Sequence, residues 1–181
     1  MKNYNFTGTT ILSVRKGDKV AIAGDGQITL GSTILKGNAN KIRTLKGGKY
    51  LIGFAGSTAD AITLFERFEK KLNKYPGNFL KAAVELAKEW RTDKVLRRLQ
   101  ALMLAVGKEA TLLISGTGDV IESEDGVLGI GSGAPYAVAA AKALLKNTKL
   151  TPVKIVEEAM KVAAEICIYT NTNFKIAELK S

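Results

Sequence analysis

The chain has 181 residues, 46% hydrophobic and 24% charged, with a formal net charge of +10 and no histidine. That length suits one domain with a real core, and without histidine a Ser-His-Asp triad, a Cys-His pair and any His-ligated metal are excluded. The single cysteine, Cys167, excludes an intrachain disulfide framework and a CxxC zinc site.

Strands come first. Residues 10–15 and 19–24 read as two strands joined by Lys16-Gly17-Asp18, a hairpin signal, and Gly24-Asp25-Gly26-Gln27 then punctuates the chain. Further strands are expected over 32–35, 39–45 and 50–55, the last two separated by Lys46-Gly47-Gly48-Lys49. Ser57-Thr58-Ala59-Asp60 has the form of a helix N-cap with an acid three residues on, and Ala61, Leu64, Phe65, Phe68 and Leu72 recur at helical spacing. Pro76-Gly77 stops that helix. Asn78 caps a second, predicted to run to about Met103 with Leu80, Val84, Ala87, Trp90, Leu96 and Leu99 on its apolar face. Strands follow at 110–115, 120–122 and 127–130. Gly131-Ser132-Gly133-Ala134-Pro135 leads into an alanine-rich helix over 136–145. Thr151-Pro152 caps a last helix to about Tyr169, and a strand fits 174–179. Strands, two helices, strands, two helices and a strand disfavour a regular βαβ fold and predict an α+β layered sandwich.

No apolar run reaches 18 residues, so no transmembrane helix is expected. Residues 1–8 lack a secretory apolar centre and have the size of a short propeptide. With one cysteine, a reducing cytoplasm is the expected compartment. Basic residues are scattered, densest over 91–98, without interleaved aromatics, so no nucleic-acid partner is expected.

The candidate residues each carry two readings. Cleavage after Gly8 would give Thr9 both a hydroxyl nucleophile and an α-amine of pKa about 7.7–8.0, able to serve as its base; Thr9-Thr10 is equally an ordinary start to a strand. Asp25 is either a turn residue or a carboxylate turned into a site. Lys41 is either a solvated strand residue or a buried lysine beside Asp25, whose field would favour a neutral amine and a developing alkoxide. Gly53-Phe54-Ala55-Gly56-Ser57 is a strand-to-helix turn whose N–H groups could hold an oxyanion. The run from Gly129 to Ala134 matches G-x-G-x-x-[GA], a weak dinucleotide fingerprint, or places Ser132 in a pocket. Cys167 lies where a helix ends, and helix-end carbonyls attract cations.

Taken together, the chain resembles the HslV family of proteasome-related threonine peptidases. The matching stretches are Gly8-Thr9-Thr10-Ile11, Ala23-Gly24-Asp25-Gly26-Gln27, Leu35-Lys36-Gly37-Asn38, Gly53-Phe54-Ala55-Gly56, Thr58-Ala59-Asp60-Ala61, Lys81-Ala82-Ala83-Val84-Glu85-Leu86-Ala87-Lys88, Trp90-Arg91-Thr92-Asp93, Gly129-Ile130-Gly131-Ser132-Gly133 and Ile166-Cys167-Ile168-Tyr169-Thr170-Asn171, in order through nearly the whole chain. The resemblance implies an Ntn-hydrolase four-layer αββα sandwich over residues 9–181, autocatalytic removal of residues 1–8, and threonine peptidase activity at Thr9. It implies support from Asp25 and Lys41, a nearby Ser132, and an oxyanion or substrate-binding site around Gly53, Ala55 and Gly56. It also implies a sodium ion on carbonyls of Ala164, Cys167 and Thr170, a homo-oligomer of two stacked hexameric rings, and an HslU-type AAA+ ATPase hexamer that delivers unfolded proteins. Ala134 and Ala164 stand where the family often has glycine. No Walker A motif occurs, so ATP hydrolysis would come from the partner. The rival readings are a basic nucleic-acid-binding domain and a nucleotide-binding enzyme using the Gly129-to-Ala134 loop.

Overall fold

A computed structural model describes residues 6–99 and 101–179. Strand β1 (Phe6–Thr7) joins a small sheet in the order β1-β4-β5, with β4 (Ile28–Leu30) and β5 (Thr33–Lys36). A four-stranded sheet runs β11-β2-β3-β12, built from β2 (Thr10–Lys16), β3 (Lys19–Gly24), β11 (Val127–Gly131) and β12 (Lys175–Glu178). A five-stranded sheet runs β10-β9-β8-β7-β6, from β6 (Ile42–Leu45), β7 (Tyr50–Ala55), β8 (Leu102–Val106), β9 (Thr111–Ser115) and β10 (Val120–Glu122). All pairings are antiparallel.

Three apolar clusters define the layers. Ile11 and Ile22 of the four-stranded sheet meet Leu51, Leu104 and Val106 of the five-stranded one. The alternate residues Leu12 and Val14 point the other way, as period-2 alternation requires. They pack against helices α3 (Ala134–Asn147) and α4 (Pro152–Ile166), whose Ala137, Ala141, Ala159 and Ala163 keep that layer thin. Helices α1 (Thr58–Lys74) and α2 (Phe79–Thr92) cover the five-stranded sheet with Leu64, Phe68, Leu86 and Trp90. The result is the αββα order that the family resemblance implied, within the α+β layered sandwich expected from the element order.

The helix starts follow their caps. Ser57 Oγ accepts the Asp60 N–H, Asn78 Oδ1 the Lys81 N–H and Thr151 Oγ1 the Lys154 N–H, each cap contributing about 1 kcal/mol. The hairpin turn is Gly17-Asp18, with Lys16 paired to Lys19.

The second helix is shorter than expected. It stops at Thr92, because the Asp93 carboxylate accepts the Val95 and Leu96 N–H groups at 2.7 and 3.0 Å and starts a new turn. Met103 belongs instead to β8, the centre of the five-stranded sheet. Leu102-Met103-Leu104-Ala105-Val106 is apolar throughout, and such a run carries no period to separate a buried strand from a helix. The strand expected over 39–45 keeps only Ile42–Leu45. The preceding segment turns inward, with the Ala39 N–H donating to the Gly26 carbonyl. Helix α4 ends at Ile166, short of Tyr169.

Candidate active site

Three segments converge at the start of β2. Thr9 lies between β1 and β2 and is buried. Asp25 leaves the end of β3, next to β2, and is fully buried. The Thr10 N–H donates to Asp25 Oδ1 at 2.7 Å, and the Asp25 N–H returns a bond to the Thr10 carbonyl at 3.1 Å. The carboxylate is thereby locked to the residue after Thr9. Its other oxygen accepts the Gln27 N–H at 2.9 Å.

Lys41 sits just before β6, its side chain only 8% exposed. Its ammonium donates to Asp25 Oδ1 at 2.7 Å, to the Gly8 carbonyl at 2.7 Å and to the Gln27 carbonyl at 2.6 Å. An ammonium has three N–H donors, and all three are committed. Burial pushes the Lys41 pKa below the ordinary lysine value, while the Asp25 charge and hydrogen bond oppose that shift. The solvated-face reading of Lys41 and the plain-turn reading of Asp25 are both replaced by this buried pair.

The Gly8 carbonyl is the common focus. Besides Lys41, it accepts the Thr9 hydroxyl at 2.8 Å. Gly8 has φ +103°, a conformation open to glycine and strained for other residues. The carbonyl just before Thr9 is thus held between a hydroxyl and a cation.

A cavity of about 1110 Å³ opens here, walled by Thr9, Lys41 and Gly56 and by the apolar Ile28, Leu35 and Phe54. Arg43 and Glu66 also reach it. Of the expected oxyanion residues, Gly56 lines the cavity. Ala55 ends β7, and Gly53 is a mid-strand position paired to Ile42 and Leu104. The Ser132 N–H donates to the Thr9 carbonyl at 2.8 Å, and the Ser132 side chain is exposed. Gly131, at φ +95°, lets this loop come close: a Cβ there would lie 2.0 Å from the Thr9 carbonyl oxygen. Gly131 thus serves approach to Thr9, Gly133 approach to Thr10 and Thr170, and Gly129 packing against Ile11, Ala134 and Val138. The strand before them, β11, runs antiparallel to β2, so the parallel βαβ setting of a dinucleotide site is not present there.

Ala164, Cys167 and Thr170 follow one another at the end of α4 and into the next loop. Thr170 Oγ1 lies 2.7 Å from Thr10 Oγ1, which accepts the Gly133 N–H at 3.0 Å. This loop therefore touches the residue after Thr9. Sequence reasoning missed two contributors. Gln27 is buried, and its side chain donates to Thr29 Oγ1 and to the Ile168 carbonyl. Asn171 reaches Gly26 and Gly37. Both lie inside stretches quoted for the family resemblance, but a polar residue beside a turn carries no signal of what it will bond.

A family model described as proteasome subunit matches residues 5–179. The chain belongs to the proteasome subunit family. Within that family it is similar to eukaryotic HslV from Trypanosoma brucei, whose crystal structure is 47% identical, covers 95% of this chain and 99% of that one, and superposes with a TM-score of 0.91. Thiobacillus denitrificans BPH shares the fold at 18% identity and TM-score 0.72. Its complex with epoxomicin covers 95% of this chain and 100% of that one, and a second BPH structure covers 94% and 97%. The proteasome-type Ntn-hydrolase fold and a threonine-type peptidase activity are established by this membership. Among the described residues no helix is long and apolar enough to cross a membrane.

Proposed function

We propose that Thr9 is the nucleophile, that residues 1–8 are a propeptide which the site removes itself, and that the processed chain is the proteolytic core of an ATP-dependent protease. The observation that carries this is the Gly8 carbonyl, held by the Thr9 hydroxyl at 2.8 Å and the Lys41 ammonium at 2.7 Å.

In self-cleavage the Thr9 hydroxyl passes its proton to a water as its oxygen attacks the Gly8 carbonyl carbon, and that water later supplies the proton to the leaving nitrogen. Lys41 stabilises the charge that develops on the Gly8 oxygen, where its hydrogen bond already points. The tetrahedral species collapses as the Thr9 nitrogen takes a proton and the C–N bond breaks, leaving an ester. Water hydrolyses the ester, releasing residues 1–8 as a carboxylate and freeing the Thr9 amine and hydroxyl. The amine then accepts the hydroxyl proton, directly or through water. The alkoxide attacks a substrate carbonyl, the peptide nitrogen leaves protonated, and water resolves the acyl-enzyme. Departure of Gly8 also releases one Lys41 donor, now able to turn toward Thr9. The Gly56 side of the cavity supplies oxyanion contacts, with Gly53 and Ala55 shaping the strand that ends there, and Ser132 holds the Thr9 backbone.

Peptide is the fitting substrate because β1 already lies on β4 as an antiparallel strand, Phe6 opposite Leu30 and Thr7 opposite Thr29. Loss of residues 1–8 leaves that edge of β4 for another extended chain. The end of α4 suits a sodium ion. Ala164, Cys167 and Thr170 offer hard carbonyl oxygens at the negative end of the helix. The Cys167 carbonyl accepts the Thr170 N–H at 3.0 Å and keeps a second lone pair. A bound ion would supply charge that fixes this loop. By analogy with HslV, the processed chain assembles as two stacked hexameric rings in the cytoplasm and receives unfolded proteins from an HslU-type AAA+ ATPase hexamer.

Thr9→Ala tests the reading. Peptide hydrolysis, assayed with and without such an ATPase and ATP, should fall by at least about 10³-fold while the assembly persists on size-exclusion chromatography. Full activity in that variant refutes it.

A further inference from the structure

We propose that Asn171 is a positioning residue for the Asp25–Lys41 pair, acting through the two loops that carry those side chains. The inference rests on the reading of Thr9 as nucleophile and Lys41 as its partner. Asp25 and Lys41 each lie next to the end of a strand and are tied by backbone bonds to Thr10 and Phe54, which belong to different sheets, so no single ladder joins the two. Asn171 bonds to both of their loops. Its Nδ2 donates to the Gly37 carbonyl at 2.8 Å, on the segment leading to Lys41. Its Oδ1 accepts the Gly26 N–H at 3.1 Å, next to Asp25, and the Asn173 N–H at 3.2 Å. The Asn171 backbone N–H also approaches Asp25 Oδ2 at 3.5 Å.

A carboxamide carries a donor and an acceptor on one rigid plane. One side chain thus braces two loops that the Ala39 N–H also joins through the Gly26 carbonyl at 2.9 Å, and so helps to set the 2.7 Å contact of Lys41 with Asp25. Asn173 is the internal comparison. Its Nδ2 donates to the same Gly37 carbonyl at 2.7 Å, but the Gly26 N–H donates to Asn171 and not to Asn173. Removing Asn173 leaves the side-chain bridge standing, whereas removing Asn171 takes it away and leaves the loops joined by the Ala39–Gly26 backbone bond. The bridge never touches Thr9 or the Lys41 ammonium, so its loss shifts the catalytic pair without emptying the substrate cleft. A displacement of about 1 Å at such a pair lowers turnover by about 10²-fold.

The test is steady-state peptide hydrolysis by the assembled, processed protein, with thermal melting alongside. The variants are Asn171→Leu, Asn171→Asp and Asn173→Ala, with Thr9→Ala as control. Asn171→Asp is close in shape and keeps the acceptor for Gly26, but it sets a carboxylate oxygen against the Gly37 carbonyl, so it serves if Asn171→Leu fails to fold. The expected result is a kcat at least about tenfold lower in both Asn171 variants, with KM within about twofold, and near-normal kcat in Asn173→Ala. Wild-type kcat in the folded Asn171 variants overturns the proposal. So does a loss that only tracks the fraction of unfolded protein, or one that appears in KM alone. Turnover in Thr9→Ala would sink the underlying reading as well; an inactive Thr9→Ala beside fully active Asn171 variants sinks this inference alone.

Discussion

Gly8→Ala separates self-cleavage from later peptide hydrolysis. The Gly8 backbone stands at φ +103°, and a Cβ built on it would lie 2.9 Å from Thr29 Oγ1, 3.3 Å from the Thr29 nitrogen and 3.4 Å from the Gln27 carbonyl oxygen. The backbone conformation costs a non-glycine residue about 1–3 kcal/mol. Thr29 is buried and its hydroxyl accepts a bond from Gln27 at 3.0 Å. Swinging it away forfeits a further contribution of about 1 kcal/mol. The Gly8 carbonyl would therefore leave the grip of Thr9 and Lys41 by about 2–4 kcal/mol, and each 1.4 kcal/mol or so is tenfold in rate. Removal of residues 1–8 should slow by tens- to hundreds-fold. The assay is a time course of intact mass on chain made by cell-free translation, wild type beside variant. Loss of residues 1–8 from the Gly8→Ala chain within twofold of the wild-type rate would refute the argument that this conformation presents the bond.

Two further outcomes follow from the same contacts. Because burial lowers the folded Lys41 pKa below the ordinary 10.5, the unfolded chain keeps this proton to higher pH than the folded one. Between the lowered value and about 10.5 the Lys41 contribution to stability rises with pH. In a Thr9→Ala background that retains Gly8, the melting temperature of the Lys41 form minus that of Lys41→Met should therefore increase with pH through this window; a decrease would contradict the burial-dominated shift. Met103→Ala should cost about 2–5 kcal/mol in denaturant unfolding, as expected for a fully buried core side chain in a central strand; a cost below about 1 kcal/mol would place Met103 on an exposed surface instead.

The layers were legible from periodicity. Leu64, Phe68 and Leu72 marked one face of α1, whereas the division of adjacent Ile11 and Leu12 between two cores came from the structure, because both are apolar. Caps announced themselves because Ser57, Asn78 and Thr151 act within a few residues of their own position. The strand β8 was hidden because a wholly apolar run fits either a buried helix or a buried strand. The site was legible only in part. Locally, Asp25 between two glycines read more readily as a turn and Lys41 in an alternating strand as a solvated residue, and their 2.7 Å contact depends on how β3 and the loop before β6 meet in space. Local chemistry does not encode that meeting. The ordered family motifs pointed to it, and the structure supplies the bond. Gln27 and Asn171 escaped notice for a related reason: their partners are distant carbonyls and N–H groups, which every residue possesses.

The central claim is that the bond between Gly8 and Thr9 is broken to make the catalyst. Intact-mass measurement of the purified wild-type chain, taken from the same sample that is hydrolysing a peptide, tests it most directly. The account predicts an active species that lacks residues 1–8 and begins at Thr9. A chain that keeps those residues and cleaves peptide at full rate would contradict it.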